Sequence, residues 1–235
     1  MPLQLITAPE TEPLTVAQAK AWCRIDTNAD EALVTALIRA ARTFAENRLR
    51  RSLLTQTWCL TIDSFPGPSL MGVPWGVEYT LPGHAIILER PPIQSITAVK
   101  YIGLDGIQYT LPGFIPGTGL PGSSNTFVDL TYGGTVRVDD PLRLTPPFGQ
   151  IWPIMMPQIG SVTVTYNTGY GDDVDGTLEG APFGSPVPED ILTWMKLRIA
   201  ALYENREEVV VGTRVTVQEL PYIDSLLDYW KVEIP

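Results

Sequence analysis

The apolar residues of this chain recur at two different periods, and the changes between them bound the fold. Leu33, Leu37, Ala41, Phe44 and Arg48 fall at three- and four-residue spacing beside a second row of Val34, Ile38, Ala45 and Leu49, the pattern that lines one face of an α-helix. From Leu54 to about Gly169 the period drops to two, as in strands. Helical spacing returns in Ile191, Met195, Ile199 and Leu202. Strands enclosed by helical ends predict an α+β subunit: a helical core from both chain ends with an inserted antiparallel β-domain. The expected segments are 1–53 for the N-terminal helices, 54–186 for the β-domain, 187–208 for a helix packing on the first ones, and 209–235 for an extended tail with a short helix.

Local signals mark the elements. Thr15 with Gln18 three residues on reads as a capping box for a helix running to about Arg24, and Asn28 with Glu31 reads as the cap of the next. Arg42, Glu46 and Arg50 at four-residue spacing are expected on that helix's outer face, with Arg48, Arg50 and Arg51 opposing its dipole. Strands are expected at Thr55–Ile62, Ile86–Leu88, Ile96–Ile102, Phe127–Leu130, Thr135–Val138 and Ser161–Tyr166. A turn through Leu104, Asp105 and Gly106 leads from Ile102 into Ile107–Leu111. Two Pro- and Gly-rich loops, Phe65–Gly83 and Pro112–Asn125, exceed the usual loop length. Pro188 suits the first position of a late helix, Glu189 and Asp190 its positive end, and Pro221 precedes a final helix over about Tyr222–Trp230.

Charge narrows the functions. The formal net charge is -10, and the central residues 52–187 hold 4 basic and 11 acidic side chains. A tight grip on nucleic acid needs clustered positive charge, so the arginines from Arg39 to Arg51 read as a solvated helix face. Cys23 and Cys59 make no disulfide framework and fit a reducing compartment. No leader peptide is expected, because Met1–Pro9 lacks a basic start and a long apolar run. The uncharged stretch Leu144–Gly171 is broken by Pro146, Pro147, Pro153 and Pro157, so no membrane span is expected.

Catalytic patterns mostly fail. His84 is the single histidine, which excludes two-histidine metal sites within one chain. Gly117, Gly119 and Gly122 spell a dinucleotide fingerprint, but Pro121 lies inside it, Pro-rich sequence replaces the strand before it, and no helix follows. Asp172, Asp173, Asp175 and Glu179 around Gly176 form part of a calcium-loop pattern, one carboxylate short. No cofactor or metal is expected. Trp58 and Trp194 sit in regular elements and are expected in the core. Met71, Trp75, Trp152, Met155 and Met156 lie in Pro-containing loops and are expected at a protein interface.

Several short motifs in order then carry a resemblance: Leu14-Thr15-Val16-Ala17-Gln18-Ala19-Lys20, Ala40-Ala41-Arg42, Leu54-Thr55-Gln56-Thr57-Trp58, Pro91-Pro92-Ile93, Gly169-Tyr170-Gly171, Val187-Pro188 and Tyr203-Glu204-Asn205-Arg206-Glu207. In sequence and spacing they make the chain similar to the head-tail connector (adaptor) proteins of tailed bacteriophages. The two long loops depart from the family pattern. The resemblance implies a non-enzymatic ring of about twelve copies in the virion, assembled in the host cytoplasm, that docks on the portal and presents a platform to the next neck or tail protein. DNA would pass through its lumen without specific binding. It further implies that the tail reaches the portal, with Leu220, Tyr222, Ile223, Leu226, Leu227, Tyr229 and Trp230 as anchors; the apolar composition of this tail after an extended stretch predicts that it is mobile in the free chain and orders on docking. An acidic lumen, with Asp172, Asp173 and Asp175 as candidates, would let a duplex slide. The alternatives are a carbohydrate-active enzyme pairing Asp139 or Asp140 with Asp172 or Asp173, and a tail or baseplate interaction module.

Overall fold

Helix formation starts where Thr15 places it. Its hydroxyl accepts the Gln18 N–H at 3.2 Å, and the Gln18 side chain accepts the Thr15 N–H at 2.9 Å, closing the capping box. The structure, a computed structural model, describes residues 2–66, 85–111, 142–144, 152–156, 158–171, 187–204 and 221–232. Its elements are β1 (Leu3–Thr7), α1 (Val16–Cys23), α2 (Glu31–Leu49), β2 (Gln56–Ile62), β3 (Ile86–Leu88), β4 (Ile93–Ile102), β5 (Gln108–Thr110), β6 (Leu142–Leu144), β7 (Val162–Thr168), α3 (Glu189–Glu204) and α4 (Pro221–Asp228). The chain is a mixed α+β protein that divides into two compact units. One contains residues 1–8 and 55–169, the other residues 9–54 and 170–233.

In the β unit an antiparallel sheet runs in the order β1-β2-β7-β4-β5, and β3 pairs with β6 separately. Alternation sorts its faces. Leu60, Ile62, Val162, Val164 and Tyr166 are buried together, while Thr57, Thr163, Thr165 and Asn167 point the other way and are half-buried. Ile96 and Val99 stand an odd number of residues apart, yet both face the core. The register shift between Ile96 and Ala98 inserts the extra residue that makes this possible. On the polar face the Thr57 hydroxyl donates to Asn167 at 2.9 Å, and the Asn167 amide donates to Ser95 at 3.2 Å.

In the helical unit one apolar cluster draws Ala19 from α1, Val34, Ile38, Ala41, Ala45 and Leu49 from α2, Ile191, Trp194, Met195 and Ile199 from α3, and Leu227 from α4. Phe44, expected in the inward row, is half-exposed and stacks on Trp194 at 5.5 Å.

Some local expectations are corrected. Asn28 does not cap α2. Its side chain accepts from Lys20, and Asp30 holds the cap position without a capping bond, its carboxylate instead accepting the Tyr203 hydroxyl at 2.7 Å. Arg42 and Glu46 are buried, because they pair with each other and Arg42 pairs with Glu12 as well. Arg51 is buried too and donates to the Trp230 carbonyl. Pro188 lies one position outside α3, its carbonyl accepting from Ile191 and Leu192. β1 and β6 are additional strands. The expected strands Phe127–Leu130 and Thr135–Val138, the extended Val209–Val217, and His84 with the glycine-rich Gly117–Gly122 fall outside the described residues.

Candidate assembly surfaces

Among the described residues, the groups that stand out are apolar side chains held in the open by well-bonded backbone. One lies on the β unit between residues 152 and 161. Trp152 turns inward and stacks on Phe65 at 4.6 Å, with the rings 4° from parallel, and Met155 is buried in the same cluster. Phe65 also meets Tyr101 at 5.7 Å. The intervening side chains turn outward: Ile154 is 76% exposed, Met156 51% and Ile159 95%. The Ser161 side chain fixes the turn by accepting the Gln158 N–H at 3.0 Å and donating to the Gln158 carbonyl at 2.6 Å. Gly160, at φ +71°, donates to Asp63 at 2.8 Å. Ile159 is thus presented by a braced turn. Of the five loop residues expected at an interface, Trp152 and Met155 are core residues of their own unit, because Phe65 offers Trp152 a parallel ring. Met156 is exposed, and Met71 and Trp75 lie outside the described residues.

A second feature is the β4–β5 hairpin. Asp105 accepts from the Tyr109 hydroxyl at 2.6 Å and from the Ile107 N–H at 3.0 Å, while Gly106 at φ +78° completes the turn. These bonds favour the charged carboxylate, and the Tyr109 hydroxyl before the Ile107 N–H holds Asp105 below the ordinary carboxylate value. The same contact pushes the Tyr109 phenol up.

The third is the C-terminal helix. Leu227 is buried in the helical cluster, and Leu226 and Trp230 pack partly against it. Asp224 bonds Arg48 at 3.0 Å and the Trp194 indole at 3.3 Å, the Trp230 indole donates to Asp190 at 3.4 Å, and the Val232 N–H donates to the Leu49 carbonyl at 3.0 Å. The expectation of a free tail therefore meets a helix seated on its own unit, because Leu227 has an apolar socket and Asp224 a cation. Tyr229 alone of the described anchors is fully outward, at 83% exposure. Leu220 and the side chains of Tyr222 and Ile223 lie outside the described residues, as do Asp139, Asp140, Asp172, Asp173 and Asp175.

Charge in the helical unit is tied down. Arg42 reaches Glu12 at 2.7 Å and Glu46 at 3.0 Å, and Glu46 also accepts the buried Leu53 N–H at 3.0 Å. Burial pulls the Arg42 pKa down, but the Glu12 hydrogen bond and the two carboxylate charges outweigh it and the net shift is upward. The Cys23 thiol is pushed up, first by burial and then by Glu204, so it stays protonated at neutral pH. No helix among the described residues is long and apolar enough to cross a membrane.

Residues 13–73 match the family model of phage gp6-like head-tail connector proteins. No curated protein matches the chain. Its fold is similar to that of chains in gene transfer agent (GTA) particles. One chain of the virion of the native GTA particle is 19% identical with a TM-score of 0.65, covering 100% of this chain and 97% of that one. A chain from the neck of the empty particle, computed with C6 symmetry, gives the same identity, score and coverage. A chain from the neck of the native particle, computed with C12 symmetry, is 18% identical with a TM-score of 0.60 and the same coverage.

Proposed function

We propose that this chain is the subunit of a non-enzymatic ring at the head-tail junction of a phage-like particle. The ring joins the capsid portal to the next neck or tail protein and surrounds the path of the exiting DNA. The carrying observation is that the connector-family match lies on α1, α2 and β2 while the neck chains share the fold along the whole chain. On this reading the helices of both chain ends form the body and the β unit is an insertion in it. A helical cluster that takes residues from α1, α2, α3 and α4 supports that arrangement.

The C12 symmetry of the similar neck supports a ring of twelve copies. The surplus of negative charge suits a conduit, since a lumen that repels phosphate does not retard a duplex, and Asp172, Asp173 and Asp175 are the acidic residues assigned to it. Tyr229, with Leu226 and Trp230 beside it, is assigned to the portal, together with Leu220, Tyr222 and Ile223, while buried Leu227 seats the helix on its own unit. Met156, Ile154 and Ile159 are assigned to the neighbouring neck protein, because a braced apolar turn is pre-organised for docking. Mixing the full chain with the portal of its own particle and weighing the product by native mass spectrometry tests this reading. A portal carrying a ring of connector copies supports it, and a portal that binds none removes it.

A further inference from the structure

We propose that the two edges of the five-stranded sheet join copies of this chain head to tail, the β5 edge of one copy taking the β1 edge of the next as a parallel strand pair. The inference rests on the ring reading above and adds where the ring closes. A cyclic ring needs two different, mutually complementary surfaces on each copy. The sheet offers two edges, one at β1 and one at β5.

Neither edge carries the charge that commonly blunts edge strands in proteins that remain single, although β5 is only 3 residues long and β1 has a register shift between Leu5 and Thr7. Such strands are normally blunted by lysine, by inward charge or by cover from the rest of the chain. Leu3–Thr7 and Gln108–Thr110 contain no charged residue. Among the described residues nothing covers several of their side chains, with Leu5 41%, Ile6 55% and Tyr109 41% exposed.

The backbone sets the register. The Thr61 N–H bonds the Pro2 carbonyl, so hydrogen-bonded pairing alternates to Gln4 with Cys59. Leu3 and Leu5 therefore turn their N–H and C=O groups to the open edge. At the other side the Leu111 N–H bonds Val99 and the Gly103 N–H bonds Ile107. Tyr109 then bonds Tyr101, and Gln108 and Thr110 face outward. Seating Leu5 opposite Tyr109 lets the Leu5 N–H donate to the Gln108 carbonyl and the Thr110 N–H donate to the Leu5 carbonyl, the slanted ladder of a parallel pair.

The side chains agree with that register. Leu5 is in line with Trp58 and Tyr166, and Tyr109 with Tyr101 and Val162. Both rows belong to the core face, so the junction brings two half-exposed apolar side chains together and continues that face. Direction agrees as well. Each neighbouring pair in the sheet is antiparallel and the strands number five, so β1 and β5 point the same way. Neighbours in a ring of C12 symmetry differ by only about 30° of rotation, which preserves that sense. A two-fold dimer would instead pair like edges antiparallel and stop. At about 4.8 Å per strand each sheet spans roughly 24 Å, so twelve copies would make a β layer about 90 Å across.

Cross-linking tests the junction. In the full chain carrying Cys23→Ser and Cys59→Ser, the pair Leu5→Cys with Tyr109→Cys should give, with a short bismaleimide, a ladder of covalent multimers ending at the closed ring, whereas Leu5→Cys alone should give none. Leu5→Pro and Thr110→Pro remove N–H groups that the chain's own ladder does not use. Each should abolish species above the monomer in native mass spectrometry while leaving the thermal melt in place. Rings that form without the Leu5–Tyr109 cross-link, or that persist in folded proline variants, overturn the edge junction and leave the ring reading standing. A Leu5→Cys variant that stops at a dimer also overturns it. A chain that forms no ring at any concentration, alone or with portal, removes the ring reading and the junction with it. Should the proline variants fail to fold, the cross-link decides.

Discussion

Replacing Glu46 by alanine tests the charge network that closes the helical unit. The Glu46 side chain is 9% exposed and has two tasks. It accepts Arg42 at 3.0 Å and the Leu53 N–H at 3.0 Å, and Leu53 is fully buried. Leaving a buried N–H without an acceptor costs about 1–3 kcal/mol. Removing one partner of a buried ion pair costs up to about 3–5 kcal/mol, but Arg42 keeps Glu12 at 2.7 Å, so its charge is not stranded and the lower end applies. The expected loss is about 3 kcal/mol, and with a urea slope near 2 kcal/mol/M the midpoint falls by about 1.5 M. Glu46→Gln retains an oxygen for Leu53 and should lose only about 1 kcal/mol. Urea titration followed by far-ultraviolet circular dichroism reads both. A Glu46→Ala midpoint within about 0.2 M of the parent, or equal losses for the two variants, would refute the two-task account.

Leu227→Ala should destabilise the helical unit by about 2–4 kcal/mol, because a fully buried leucine leaves a cavity; hydrogen exchange should show α4 losing protection before α2. Tyr229→Ala should leave the melt unchanged, its side chain being outward, and weaken portal binding at least tenfold by biolayer interferometry. The hairpin should respond to pH at both ends. Asp105 has a lowered pKa, so its bond to Tyr109 is present above the ordinary carboxylate value and is lost as pH falls through the lower folded value. Tyr109 has a raised pKa, so its share is present below the ordinary phenol value and is lost as pH rises through the higher folded one. Amide chemical shifts of Ile107 and Gly106 should move in both limbs, and Asp105→Asn should abolish the acid limb.

Where sequence period and local chemistry act together, the fold was legible. The Thr15–Gln18 box, the α2 stripe from Val34 to Leu49 and the alternation in β7 all follow from contacts within a few residues. Misreadings arose where a distant partner decides. Arg42 and Glu46 read as solvent-facing charges because Glu12, 30 residues from Arg42, is what makes their burial tolerable. Lys20 took Asn28 away from the cap of α2. β1 lies at a sheet edge with most of its side chains exposed, so it carries little burial period to detect. Trp152 looked like a loop aromatic, and Phe65, far away in sequence, gives it a stacking partner. At the candidate surfaces, exposure on a braced turn is a three-dimensional property: nothing in the spacing of Ile154, Met155 and Met156 separates the buried one from its neighbours.

The most direct measurement is an image reconstruction of the intact particle in which this chain carries a small density label. A ring of label is expected between portal and tail, at one level along the axis, with copy number equal to the portal's symmetry or matched to it. Label on the capsid shell, at the distal tail tip or absent from the particle would contradict it.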